Sequence, residues 1–358
     1  MDRRTLSLAA LVVLAGIVGG AGGAPAAAAQ ADCSFPYTAT DQTGAEVTVD
    51  APPGRIVVLG ASAAQTLWEI GAKGQVVGMP VQPYTTYLDG AENRTPVMNE
   101  GGFTVNVEQV VGLEPDLVLA PNIIPAETVT RLREAGLTVY RFEAAGSIED
   151  VYGKTRLMGR LTGHCAGAES TVGWMQARLA VVSEAVAGEE RPRVVMPLGG
   201  GFIAPEGSFL DAMITAAGGR NIAADANITG YQQVSPEVIV EQDPEWIVRP
   251  STLPESEIRT AGYNQTTAIR LDQIVVVDAN LANQPAPRIV HPIEAIAKAL
   301  HAAAYAAANE TPTPTSIEPT TARPVTEPPS PAETPGQPGF GFAVAAGAVV
   351  VAALLRRR

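Results

Sequence analysis

The stretch SIEDVYGKTRLMGRLTGHCAGAESTVGWMQARLAVVSEAVAG, residues 147–188, decides how this chain is organised, because it contains neither a proline nor a strand-like pattern. Apolar residues recur along it as Val151, Leu157, Met158, Leu161, Val172, Met175, Leu179, Val182 and Val186. That spacing keeps one helical face apolar. The stretch reads as a long helix, with an interruption around 163–167 left open by the glycines there. At about 1.5 Å per residue it would extend up to about 60 Å, more than one ordinary lobe needs. Such a helix can bridge two lobes.

On its N-terminal side, residues 55–60 (RIVVLG) read as a buried strand bounded by Pro52, Pro53 and Gly60, and Ser62 caps a helix through Leu67 and Trp68 to Gly71. A strand follows at 76–79, then a short helix at 107–113 stopped by Glu114 and Pro115, a strand at 116–120, a helix at 126–135 ended by Gly136, and a strand at 137–142. This succession is a βαβα lobe with a mainly parallel sheet. On the C-terminal side the pattern restarts, with a strand at 193–197, a glycine loop at 199–201, helices at 209–217 and 236–241, strands at 246–248 and 274–277, and a last helix at 292–308. The halves echo each other where Leu113-Glu-Pro-Asp116 answers Glu241-Gln-Asp-Pro244 ahead of a strand. The expected architecture is α/β: two similar Rossmann-like lobes, 55–146 and 189–309, around a cleft and joined by 147–188.

The ends belong to a different kind of chain. Arg3 and Arg4, an apolar run over 6–18 and small residues up to Ala29 have the order of a secretory signal peptide, residues 1–29, with 30–54 as the first mature segment. Residues 310–338 are Thr, Pro, Glu and Ser with little apolar content, a stalk that cannot bury enough surface to fold. An apolar segment and Arg356, Arg357 and Arg358 close the chain at 339–358. A basic stop of this kind holds the arginines on the cytoplasmic side and the rest outside. With Pro338, Gly339 and Phe340 at its start, the tail resembles the archaeal PGF C-terminal sorting signal, which implies cleavage and lipid anchoring; without processing it is a short anchor. Either way the expected location is the outer face of the membrane.

The formal net charge is −13, with 24 basic against 37 acidic residues. No nucleic-acid partner fits that balance, and the acidic, lysine-poor composition suits hydration in concentrated salt. Sequons at Asn93, Asn227, Asn264 and Asn309 are compatible with a glycosylated exterior. Cys33 and Cys165 are the only cysteines. An even pair in an exported chain favours a disulfide tying the N-terminal segment to the joining helix. The alternative, Cys33 as a lipidated residue, is opposed by Asp32 before it.

Several stretches now match one family in order. Residues 55–59 with the helix after them, 107–110 running to 115–118, Gly218-Gly-Arg-Asn221, Val234-Ser-Pro-Glu237 and Gln284-Pro-Ala-Pro-Arg288 resemble the solute-binding proteins of cobalamin, iron-siderophore and haem ABC importers. The resemblance implies a class III periplasmic-binding-protein fold, whose stiff joining helix lets the lobes rock only slightly. It also implies capture of a metal chelate and delivery to an importer permease with its ATPase, with one glutamate per lobe docking on permease arginines. By position these are Glu108 and Glu237. A carboxylate in a first helical turn is also favoured by the macrodipole alone, so a helix-start role stands as the other reading.

Ligand contacts are expected from loops at strand ends. The resemblance to ring-lined cobalamin clefts points to Tyr84, Tyr87, Phe103, Phe202 and Tyr231, with Gln284 and Arg288 as polar contacts beside Asn283; ordinary packing is the alternative for the aromatics, and a structural hydrogen bond for Arg288. Only Arg249 and Arg288 fall near strand ends, few for an anionic siderophore. A corrinoid therefore leads, with ferric siderophore and haem as alternatives. His164, His291 and His301 are too scattered for a direct metal site, no Gly-x-Ser-x-Gly marks a hydrolase, and Gly199 to Gly201 lack the Lys-Ser/Thr of a phosphate loop. No enzyme activity and no cofactor of its own are expected, and a monomer is. A surface adhesin is the alternative of another class.

Overall fold

The computed structural model describes residues 33–102 and 104–310; the signal peptide, stalk and tail lie outside them. A hairpin comes first, strands β1 (Tyr37–Thr40) and β2 (Glu46–Val49), paired antiparallel. The segment 30–54 was not expected to hold strands. Asp41 shapes its turn, accepting from the Thr43 amide at 2.8 Å and the Thr43 hydroxyl at 2.6 Å, the short-range Asx bonding that fixes tight turns.

The first lobe follows. Strands β3 (Ile56–Val58), β4 (Val76–Met79), β5 (Thr95–Pro96), β6 (Leu117–Ala120) and β7 (Val139–Arg141) form a parallel sheet in the order β5-β4-β3-β6-β7. Helices α1 (Ala61–Glu69), α2 (Val107–Gly112) and α3 (Ala126–Glu134) connect them. Both faces of the sheet are covered, as a parallel sheet requires. The side chains of Ile56 and Val58 enter one cluster with Leu117, Leu119 and α1, while Val57 and Leu59 enter the other with Val110, Val129 and Leu132. That two-residue alternation explains why residues 56–59 read as an unbroken apolar run.

The joining segment is two helices, α4 (Ile148–Thr162) and α5 (Cys165–Val186), divided where the sequence left an interruption open. Ser147 and Asp150 start α4 with a reciprocal capping box. Gly163 ends it in the left-handed region at φ 79°, a conformation glycine adopts without strain. The chain doubles back there. Ile148 and Val151 of α4 pack in the core of the second lobe and Met158 and Leu161 in that of the first, whereas α5 begins with Ala168 in the first and ends with Met175, Val182 and Ala185 in the second. Two antiparallel helices thus cross the boundary, and the reach is about half that of one unbroken helix. Gly167 lets α5 press on the end of α1: a Cβ there would sit 2.1 Å from the Ile70 carbonyl oxygen. Cys33 and Cys165 are joined by a disulfide that ties the N-terminal segment to the start of α5.

The second lobe contains β8 (Arg193–Val195), β9 (Pro197–Gly199), β10 (Phe202–Ile203), β11 (Arg220–Asn221), β12 (Trp246–Pro250) and β13 (Ile274–Val277). Its parallel sheet has the order β11-β8-β12-β13, and β9 pairs with β10 as a separate hairpin around the glycine loop. Helices α6 (Phe209–Ala216), α7 (Ile222–Asp225), α8 (Pro236–Gln242), α9 (Thr267–Arg270), α10 (Ala279–Ala282), α11 (Val290–Leu300) and α12 (Ala302–Glu310) complete it. The expected last helix is therefore two, parted at His301.

The echo between the lobes is a repeated piece of chemistry. Glu114 and Asp243 both adopt positive φ at the ends of α2 and α8, and a proline follows each. The next acid then accepts backbone N–H groups at the start of the central strand. Asp116 takes those of Gly54 and Arg55, each at 2.8 Å, and Glu245 takes that of Arg193 at 2.9 Å. Each arginine returns the bond, Arg55 to the Leu113 carbonyl at 2.6 Å and Arg193 to the Asp243 carbonyl at 3.1 Å.

Candidate ligand-binding cleft

Parallel strands direct their carboxyl ends, and the loops that leave them, to one edge of a sheet. Those edges face each other here across a cleft of about 620 Å³. The first lobe contributes the start of α1 at Gly60, Ala61 and Ser62, and the loop after β6 at Pro121, Asn122 and Ile123. The second contributes Leu198, Tyr231, Thr252 and Leu253, with Asn283, Gln284 and Pro285 from the loop before α11. Ala144 and Ala145 come from the loop between β7 and α4, and Lys154 from α4.

Two large apolar side chains stand uncovered in this cleft, one from each lobe: Ile123 is 76% exposed and Tyr231 64%. Ile123 is held by Arg141 at the end of β7, which donates to the carbonyls of Asn122 at 2.7 Å and Ile124 at 3.0 Å and so braces the loop. An aliphatic residue after Pro121 and Asn122 resembles the end of a strand, so nothing in the sequence marks Ile123. Tyr231 is marked by being aromatic and in a loop; its counterpart is not.

The remaining sites separate by place. Gln284 lines the cleft, yet its side chain is turned into the boundary between the lobes, where its amide donates to the Tyr84 carbonyl at 2.9 Å and its oxygen accepts from the Tyr87 hydroxyl at 3.0 Å. Gln65 of α1 completes the junction. It donates to Tyr87 at 2.7 Å and accepts the Arg288 backbone N–H at 2.8 Å. The Arg288 guanidinium pairs with Glu69 at 2.6 Å and lies 5.6 Å from the centre of the Tyr87 ring. Tyr87 and Arg288 are therefore part of a clasp between the lobes and not of the cleft wall; the structural role left open for Arg288 is the one observed. Burial pushes both Tyr84 and Tyr87 above the usual phenol pKa. Tyr84 lies beside the clasp, also off the cleft wall.

Phe202 lies in a separate hollow of about 510 Å³ within the second lobe, with Gln233, Ser235 and Tyr263. Phe103 lies outside the described residues. Arg249 is turned to the Leu253 carbonyl, 2.5 Å away. The three histidines are engaged apart from one another, His164 with the Thr162 carbonyl, His291 against Trp174 and His301 with the Gly218 carbonyl. Among the described residues no cluster of three or more His, Cys, Asp or Glu could hold a metal ion.

Glu108 and Glu237 occupy equivalent places. Each lies two residues beyond its helix cap, Asn106 for α2 and Ser235 for α8, and each is exposed. Each helix leads into a strand of its own lobe's parallel sheet, α2 into β6 and α8 into β12. Bonding to the Ser235 side chain and to its own backbone N–H holds the Glu237 carboxyl below the usual range.

Two lobes of repeated design, a crossing pair of helices and a cleft at the strand ends describe a binding protein, and the comparisons agree. The sequence pattern of the family described as periplasmic binding protein matches residues 56–281. The chain belongs to that family. Among curated relatives, a cobalamin-binding protein of Halobacterium salinarum is 46% identical over 289 residues, 77% of this chain and 78% of its own. A vitamin B12-binding protein of Vibrio cholerae is 23% identical over 249 residues, covering 68% of this chain and 88% of its own. The structure of a periplasmic haem-binding protein of Roseiflexus superposes with a TM-score of 0.62 at 24% identity, over 70% of this chain and 98% of its own; at that identity the likeness speaks for the fold. As a periplasmic binding protein the chain has the role of an exported importer component. No helix among the described residues is long and apolar enough to cross a membrane.

Proposed function

We propose that this protein captures a corrinoid, with cobalamin as the leading candidate, and presents it to an ABC importer on the outer face of the cell. The observation that carries the reading is the pair Ile123 and Tyr231, exposed on opposite walls of a cleft whose lobes are clasped together. Exposed apolar side chains in a concave site are suited to a broad, partly apolar ligand. The relatives named for cobalamin and vitamin B12 support the same choice. An anionic ferric siderophore is less favoured, because Arg249 and Arg288 are both engaged elsewhere.

Glu108 and Glu237 would dock the loaded protein on its permease, one contact per lobe, and the open cleft edge suits a monomer. The stalk and tail would hold the protein at the membrane, with or without processing at the PGF segment. The four sequon asparagines are all exposed, as glycosylation would require. Calorimetric titration in high salt with cyanocobalamin, haem and a ferric siderophore tests the reading. Tight one-to-one corrinoid binding is expected; binding of haem or siderophore with no heat from the corrinoid would overturn the ligand assignment.

A further inference from the structure

Lys154 is the sole charged residue among the described residues that line the cleft. It is one of three lysines in a chain of net charge −13. The other two have evident partners: Lys73 pairs with Asp89 at 3.0 Å and Lys298 lies 5.1 Å over the Tyr305 ring. On α4, the Lys154 ammonium donates to the Glu143 carbonyl at 3.1 Å and lies 5.8 Å over the Phe142 ring, in the stretch between β7 and α4. An ammonium has three N–H donors, and that carbonyl takes one.

The carboxylate closest in sequence does not take the others. Asp150, one turn earlier on α4, is occupied by the backbone N–H groups of Gly146 at 2.9 Å and Ser147 at 3.0 Å, and acts on Lys154 only through its charge. Burial pushes the Lys154 ammonium below its ordinary pKa, a cost that a pairing anion would offset. The start of α1 opens on the same cleft at Ala61 and Ser62, and its macrodipole adds to a local field favourable to negative charge. The net charge of −13 works against an anion elsewhere.

We propose that Lys154 is the ligand-selecting cation of the cleft, pairing with an anionic oxygen of the bound molecule; resting on the corrinoid reading, this oxygen is that of the phosphodiester in the nucleotide arm. The protein then distinguishes a complete cobalamin from a corrinoid that lacks the nucleotide. Neutral amide oxygens, carried by both, would give no such distinction.

The test titrates wild type, Lys154→Met and Lys154→Arg with cyanocobalamin and with dicyanocobinamide, which keeps the ring and lacks the phosphodiester. Wild type is expected to prefer cobalamin, and Lys154→Met to lose about tenfold or more for cobalamin with little change for cobinamide. Lys154→Arg keeps the charge and should keep most of the preference, which separates loss of charge from loss of fold. Equal losses for the two corrinoids would show a contact to the ring amides and overturn the proposal, as would no loss for either. If wild type binds neither corrinoid, the corrinoid reading itself fails and this assignment falls with it.

Discussion

The side-chain amide of Gln65 on α1 meets that of Gln284, in the loop before α11, at 3.3 Å, and both residues are buried. Residues more than two hundred positions apart in the chain are thereby joined beside the cleft. Together with Tyr87, the Arg288 backbone and the Arg288–Glu69 pair, they fasten the first lobe to the second beside the two crossing helices. A polar junction that is fully satisfied adds rigidity, and one that is half satisfied is costly.

Gln65→Leu should therefore be strongly destabilising although it keeps the side-chain bulk. It leaves the Arg288 N–H without its acceptor and takes one donor from the Tyr87 hydroxyl and from the Gln284 side-chain oxygen, at about 1–3 kcal/mol for a group left orphaned. Gln284→Ala should cost less in that background than in wild type, because the two residues share one network. Urea unfolding of the two single variants and the double variant reads the coupling. Strictly additive losses would show that the lobes do not depend on this contact.

The cleft walls make a second expectation. Ile123→Ala and Tyr231→Ala should each weaken ligand binding by about 1–2 kcal/mol, roughly five- to thirtyfold in Kd. Arg141→Gln touches no ligand, yet it releases the carbonyls of Asn122 and Ile124 and should weaken binding through the misplaced Ile123. Its effect should largely vanish once Ile123 is already alanine. Titration calorimetry of the four variants, the double included, decides; an Arg141 effect undiminished in the Ile123→Ala background would exclude this indirect route.

Asp41 predicts a response to acid. Burial raises its pKa, but bonds from the Thr43 hydroxyl, the Arg141 amide, Arg133 and the Thr43 amide outweigh burial and hold the carboxyl below its ordinary value. A folded-state pKa below the unfolded one gives stability that is present above the unfolded pKa, about 3.9, and is lost as pH falls through the folded value. Asp41→Asn should thus melt below wild type at pH 6 to 7, by an amount equivalent to at least about 1 kcal/mol, and the gap should close below about pH 4. Thermal melts across that range check the sign. A gap constant with pH would mean that the charge on Asp41 is not what matters.

Much of this was readable beforehand, for physical reasons. Strands buried on both faces announce themselves as short apolar runs, as residues 56–59 do, and the proline-free apolar spacing from Ser147 onward marks the crossing segment. The hairpin of β1 and β2 was not legible, because its alternation over 37–49 is short and half polar and lies next to an export signal. In the site, residue type proved an incomplete guide. Tyr231 shows itself by being aromatic and in a loop, but Tyr87 and Arg288 have the same credentials and are drawn into the clasp by partners distant in sequence. Ile123 and Lys154 carry no local signature at all; what sets them apart is that the one stands largely exposed in the cleft and the other has a single carbonyl as its hydrogen-bond partner besides the Phe142 ring.

The docking expectation follows from the repeat more than from either glutamate alone. Glu108 and Glu237 each lie two residues past a helix cap and six before a positive-φ acid, Glu114 and Asp243, in lobes built to one plan. Two copies of one exposed carboxylate, one on each lobe, form a pattern that a two-sided permease can read, and charge complementarity governs such encounters. Glu108→Arg and Glu237→Arg should leave corrinoid affinity within about twofold of wild type while lowering uptake of labelled corrinoid by cells about tenfold or more. Neither side chain is buried, so melting temperatures should scarcely move. If uptake is unchanged in both variants, the glutamates are helix-start residues favoured by the dipole, and docking must use another surface.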